Sequence, residues 1–120
     1  MFLRAGKQYY KNAIADYDEC LRNINQDKKK DTKKMKKVKF QALLHRGICK
    51  RKIKIIQKEG MDLNEVIEIK TKLLNESIDD LKVAAEMERD CPEVYNNLGL
   101  SYFDKKWFKQ SADAFKVAID

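Results

Sequence analysis

Ser77, Leu81 and Ala84 recur 34 residues later as Ser111, Phe115 and Ala118, and this internal period constrains the chain more than any other feature. Repetition at such a distance marks supersecondary units that cannot bury their apolar face alone and must stack on their neighbours. A third triplet with the same steps of 4 and 3 stands at Ala13, Tyr17 and Cys20, 64 residues before Ser77. Those steps put the members of each triplet on one face of a helix. A second set repeats beside the first: Leu43, Arg46, Gly47 and Lys50 precede Tyr95, Leu98, Gly99 and Tyr102 by 52 residues. Composition agrees. With 4 Gly and 1 Pro in 120 residues, the chain lacks the turn formers that a many-stranded sandwich needs, and its Lys, Glu, Leu and Ala favour helices. The expected class is all-α.

The final stretch, residues 92–120, reads as one helical hairpin broken at the polar Asp104-Lys105-Lys106. Gly99 suits a place where two helix axes approach closely, opposite a large aromatic of the second helix. On these residues the chain resembles the tetratricopeptide repeat family. The family's pattern has an aromatic, Leu-Gly and Tyr on the first helix, then Ala, an aromatic and Ala on the second. Here these are Tyr95, Leu98-Gly99, Tyr102, then Ser111, Phe115 and Ala118, with Ser111 departing from the usual Ala. The resemblance implies a right-handed α-solenoid of antiparallel hairpins with about three repeats over residues 1–120. The first is partial (1–24), the middle one is long (35–88), and the last covers 92–120. The excess over the period implies insertions between helices near 26–37 and 52–69, the second lengthening both middle helices.

In finer detail, residues 1–5 read as the tail of one helix and 8–24 as its partner, with a Lys-rich connection over 25–34. A long helix is expected from about 35 to 58, turning Val38, Phe40, Leu43, Leu44, Gly47, Ile48 and Ile55 inward. Gly60 suits a left-handed helix end, and Asp62 or Asn64 an N-cap. The helix that follows, to about 88, has Ile67, Leu74, Ile78, Leu81 and Ala85 as its seam. Pro92 fits the first turn of the next helix, and Phe108, Ser111, Ala112, Phe115 and Ala118 form the face of the last. Both ends read as cut through a longer array, because apolar residues at Phe2/Leu3 and Phe115/Ile119 have no capping helix.

The net charge of +7 is unevenly placed. Residues 1–27 hold four basic and four acidic groups, 28–58 hold 14 basic groups against Asp31, and 59–120 hold 8 basic and 14 acidic groups. The basic patch expected from this comprises Lys36, Lys37, Arg46, Lys50, Arg51, Lys52 and Lys54. Its helical part is the rigid one and the run 28–37 a mobile one. Without interleaved aromatic or Arg residues the run is poorly suited to reading bases. It reads first as a solvated connection kept soluble by its charge; as a binding element it favours an acidic protein surface over nucleic acid or anionic lipid.

No phosphate loop, GxSxG or HExxH motif is present, and the single His lacks catalytic company. Cys20, Cys49 and Cys91 are odd in number and lack a CxxC pair, which argues against a disulfide framework and a metal site. No enzyme activity, cofactor or metal is expected. His45 and Asn97 stand 52 residues apart, and the resemblance implies that they occupy equivalent positions facing a concave groove, which holds an extended peptide or a helix of a partner protein and is lined by Gln41, Leu44, His45, Ile48, Arg51, Asn96, Asn97 and Leu100. The subgroup that grips chaperone C-termini is disfavoured, since Glu93 stands where a Lys is needed.

The expected function is a non-enzymatic protein-interaction scaffold in the cytoplasm, inside a larger assembly of cytoskeletal or ciliary type. The alternatives are a regulatory array joined to a catalytic domain, or a basic nucleic-acid-binding solenoid. No uncharged run of about 18 residues is present to span a membrane.

Overall fold

The computed structural model describes residues 2–26, 32–53 and 60–119, with side chains from residue 8 onward. Its elements are helices α1 (Phe2–Gln26), α2 (Lys33–Lys52), α3 (Leu63–Met87), α4 (Pro92–Asp104) and α5 (Phe108–Ile119). The fold is all-α. Helix α1 packs on α2, α2 on α3, α3 on α4 and α4 on α5, each chiefly on its sequence neighbours. The radius of gyration is 15.6 Å, above the roughly 13.6 Å of a compact domain this long. The molecule is correspondingly elongated, with extents of 48 × 33 × 23 Å.

Local chemistry sets the helix ends. The Thr32 side chain accepts from the Met35 N–H at the start of α2, and Asp62 does the same for Glu65 at the start of α3. Gly60 adopts φ +86°, the left-handed conformation expected of it, and Pro92 opens α4. The α4–α5 turn is closed by Lys106, a non-glycine residue at φ 65°. Its N–H donates to the Phe103 carbonyl, the Trp107 N–H donates to that of Tyr102, and the Tyr102 and Trp107 rings stack 6.0 Å apart. This pairing of hydrogen bonds and apolar contact is a Schellman helix end.

The two hairpins α2/α3 and α4/α5 share one crossing. A Cβ on Gly47 would lie 2.9 Å from Leu81 Cγ, and one on Gly99 would lie 2.7 Å from the Phe115 ring. Ser77 Oγ donates to the Gly47 carbonyl at 2.7 Å, and Ser111 Oγ to that of Gly99 at 2.8 Å. Ser77 also meets Ser101 Oγ at 2.8 Å, joining the hairpins through a buried hydroxyl pair. Leu44, Leu81 and Val94 are fully enclosed in the shared core, along with Phe40, Leu43, Ile78, Ala84, Leu98 and Tyr102.

The structure corrects several finer expectations. Residues 2–26 form one helix, not two: Gly6 inside it costs about 1 kcal/mol relative to Ala and does not break it. Helix α2 starts at Lys33, so Lys33–Lys37 are helical, and it ends at Lys52 instead of 58. Val38 is exposed because it lies two residues, about 200° around the helix, from the buried Phe40. Ile67 is exposed because α3 begins before the point where α2 meets it: Lys70 Nζ donates to the carbonyl of Arg51 at the end of α2 and to that of Ile53 just after it. On α5 the buried positions are Ser111 and Ala114, leaving Phe108 and Ala112 exposed. Lys54 and Ile55, like Lys28–Lys30, lie outside the described residues.

Candidate interaction surfaces

Two of the residues expected to line a peptide groove are not available to a peptide. Leu44 is 1% exposed and belongs to the core. Asn97 is buried, and its Nδ2 donates to the Glu93 carbonyl one turn earlier, at 2.8 Å. His45 is half-buried, with Nε2 3.1 Å from Gln41 Oε1 and its ring stacked on Tyr17 of α1. Ile48, Arg51 and Leu100 are half-buried, while Gln41 and Asn96 are exposed. Arg51 Nε is enclosed without a hydrogen-bond partner among the described residues. His45 and Asn97 stand 52 positions apart, as Gly47 and Gly99 do, and each side chain finds a hydrogen-bond partner on its own helix.

The basic patch divides in two. Arg46 is a tie between helices: Nε and Nη2 reach Asp80 of α3 at 2.8 and 2.6 Å, and Nη1 reaches Asp18 of α1 at 2.9 Å. Its hydrogen bonds to Asp80, opposed by burial, hold the guanidinium above its ordinary pKa. Lys50 is buried too, with Nζ 3.2 Å from Glu76 and 3.7 Å from Asp80. Neither cation offers charge to a partner. Arg46 and Lys50 are therefore withdrawn from the patch. The acids that consume them were not foreseen, although a signal existed. Arg46 stands where the later hairpin has Leu98, and Asp80 where it has Ala114. Opposite charges at two facing apolar positions indicate an interior ion pair.

The remaining cations concentrate at the start of α2. Lys33, Lys36, Lys37 and Lys39 rim a groove of about 790 Å³ completed by Phe40, Gln41, Val83, Met87 and Glu88. Phe40, Val83 and Met87 give it an apolar floor between α2 and the end of α3. No acidic residue occupies the first turn of α2, and the cations within that turn, Lys33, Lys34 and Lys36, are disfavoured by about 0.3–1 kcal/mol each. Among the described residues no ion pair engages Lys33, Lys37 or Lys39. Lys33, Lys37 and Lys39 therefore present charge beside apolar surface. An acidic, partly apolar segment is the ligand class with matching chemistry.

Cys20, Cys49 and Cys91 are free thiols, Cys49 buried and the others half-buried. Among the described residues no three His, Cys, Asp or Glu side chains gather as a metal site, and no helix is long and apolar enough to cross a membrane. No family model, curated protein or solved structure matches this chain.

Proposed function

We propose that this chain is a non-enzymatic scaffold of tetratricopeptide-like hairpins wound as a right-handed solenoid. It holds an acidic segment of a partner protein in the groove between the start of α2 and the end of α3. The observation that carries the reading is the pairing of a lysine rim with an apolar floor. The repeated glycine crossings support the resemblance to the family. Three unpaired thiols favour a reducing compartment, the cytoplasm. Tubulin's acidic tails have surface chemistry of this kind, which keeps a cytoskeletal or ciliary setting within the proposal.

The test is a titration of the protein against a fluorescent peptide alternating Glu and Leu, its Gln counterpart and a single-stranded oligonucleotide. The reading expects the acidic peptide to bind at least tenfold more tightly than the other two. The triple variant Lys33→Glu, Lys37→Glu, Lys39→Glu should lose that preference while remaining helical. Tighter binding of the oligonucleotide would overturn the proposal.

A further inference from the structure

The Ser and Thr hydroxyls of this chain differ sharply in access. Ser77, Ser101 and Ser111 are buried and hydrogen-bonded. Thr71 is exposed but lies inside α3, on helical backbone. Thr32 is exposed on extended backbone, at φ −85° and ψ 157°. No other Ser or Thr is present. An enzyme that modifies a hydroxyl must reach it on accessible chain outside regular structure. Thr32 is the one Ser or Thr that meets this condition.

The surroundings of Thr32 determine what its modification would do. It stands in the run 28–37, which holds seven Lys against Asp31. Its side chain accepts from the Met35 N–H at 3.2 Å, and the residue after it, Lys33, rims the groove together with Lys36, Lys37 and Lys39. The groove is thus a cationic surface of about 790 Å³ that begins one residue from an accessible hydroxyl. A phosphate on Thr32 Oγ1 would bring about two negative charges to a helix start that favours anions, beside the lysines of the rim.

We infer that Thr32 is a phosphorylation site and that its phosphate, held by the rim lysines, excludes the acidic segment; the second half rests on the proposed function of the groove. The enzyme is a kinase with an acidic substrate cleft, because lysines flank Thr32 on both sides. It transfers the γ-phosphoryl group of a nucleoside triphosphate. The bond from phosphorus to Oγ1 forms as the bond to the bridging oxygen breaks, the nucleoside diphosphate leaves, and the hydroxyl proton passes to the kinase's base. Being tethered beside the rim, the phosphate competes at a high and constant effective concentration.

The first arm of the test treats the full 120-residue chain with the catalytic subunit of the cyclic-AMP-dependent kinase, a basic-directed enzyme, and locates phosphate by fragment mass. One phosphate on Thr32 is expected; none, or phosphate on Thr71 instead, would overturn the site. The second arm uses the chain made with phosphothreonine at position 32. Its affinity for the Glu/Leu peptide should be at least tenfold weaker than the parent's and should return on phosphatase treatment. Its phosphorus resonance should titrate with a second ionisation below the ordinary value of about 6. That shift should shrink when Lys33→Gln, Lys36→Gln and Lys37→Gln are combined. Unchanged peptide affinity, or an ionisation indifferent to the three lysines, would overturn the inference. A parent that fails to bind the peptide defeats the function proposed for the groove, and with it the exclusion of a partner; the kinase and phosphorus arms then decide the site and its lysine contacts by themselves.

Discussion

Arg46 and Asp80 stand 34 positions apart, one repeat length, and meet through two hydrogen bonds of 2.8 and 2.6 Å across the α2–α3 interface. The pair replaces what the α4/α5 hairpin builds from Leu98 and Ala114, so one molecule contains a charged and an apolar solution to the same packing problem. Removing one partner leaves the other charge largely buried, which costs about 2–3 kcal/mol at a site that is part-exposed. Arg46→Leu and Asp80→Ala should each destabilise by that amount. The double variant copies the later hairpin and should recover at least half of the loss, because Lys50 keeps Glu76 as a partner. Denaturant melts of the four proteins check this, and strictly additive losses would show that the pair has no coupling.

The two glycine crossings should respond differently to a methyl group. Alanine gains about 1 kcal/mol over glycine in a helix interior, against about 1–3 kcal/mol for overpacking. At Gly47 the added Cβ meets Leu81 and also the Ser77 carbonyl at 3.2 Å, a backbone atom that cannot step aside. At Gly99 the three nearest atoms all belong to the Phe115 ring, which borders an open hollow of about 540 Å³ and has room to swing. Gly47→Ala should therefore lose about 1 kcal/mol or more, and Gly99→Ala should be close to neutral. Equal losses at both sites, measured by thermal melting, would show that the Phe115 ring is held as firmly as the backbone.

Residue patterns made the helices and their crossings legible. Gly47 and Gly99, the Ser77/Leu81 and Ser111/Phe115 pairs, the Asp62 cap and Gly60 could all be read from spacing, because each depends on sequence-local geometry. The site was harder. Charge counting treats every Lys and Arg alike, whereas Arg46 is neutralised by Asp18 and Asp80, acids 62 residues apart in sequence, and Lys50 by Glu76 and Asp80. Equivalence of position likewise said nothing about where a side chain bonds: Asn97 turns to its own helix. The lysine-rimmed groove depends on α2 starting at Lys33, two residues earlier than periodicity indicated, since the Thr32 cap outweighs the unfavourable charge behind it.

The α4–α5 turn carries a strain that can be relieved. Lys106 at φ 65° occupies the left-handed region, where a side chain costs about 1–2 kcal/mol and glycine does not. Part of that is returned as the greater backbone freedom of glycine in the unfolded chain. Lys106→Gly should raise stability by about 0.5–1 kcal/mol, visible as a melting temperature a few degrees higher. Trp107→Ala should lower it, since the stack on Tyr102 completes the same turn. A destabilised Lys106→Gly variant would mean that the lysine side chain has a fixed role in the turn.

Alkaline pH should loosen the α1–α2 interface first. Burial raises the Cys49 thiol above its ordinary 9.0 and the Tyr17 phenol above 10.0. Both remain protonated in the fold at pH values where the unfolded chain has released its protons. The unfolded state then binds fewer protons, so stability is intact below pH 9 and declines as pH rises through the raised values. Lys70 works in the other direction. Its ammonium, held on the Arg51 and Ile53 carbonyls, is pushed below 10.5 by burial. The unfolded chain keeps that proton longer, so its contribution improves as pH approaches 10.5. Each group changes the slope by at most about 1.4 kcal/mol per pH unit. Cys49→Ala should flatten the decline that begins near pH 9, and Lys70→Gln should steepen it by removing the opposing gain. Urea melts from pH 7 to 11 separate the two, because it is the slope against pH that matters and not the offset each substitution introduces. Parallel curves for the parent and Cys49→Ala would place the first alkaline ionisation elsewhere in the fold.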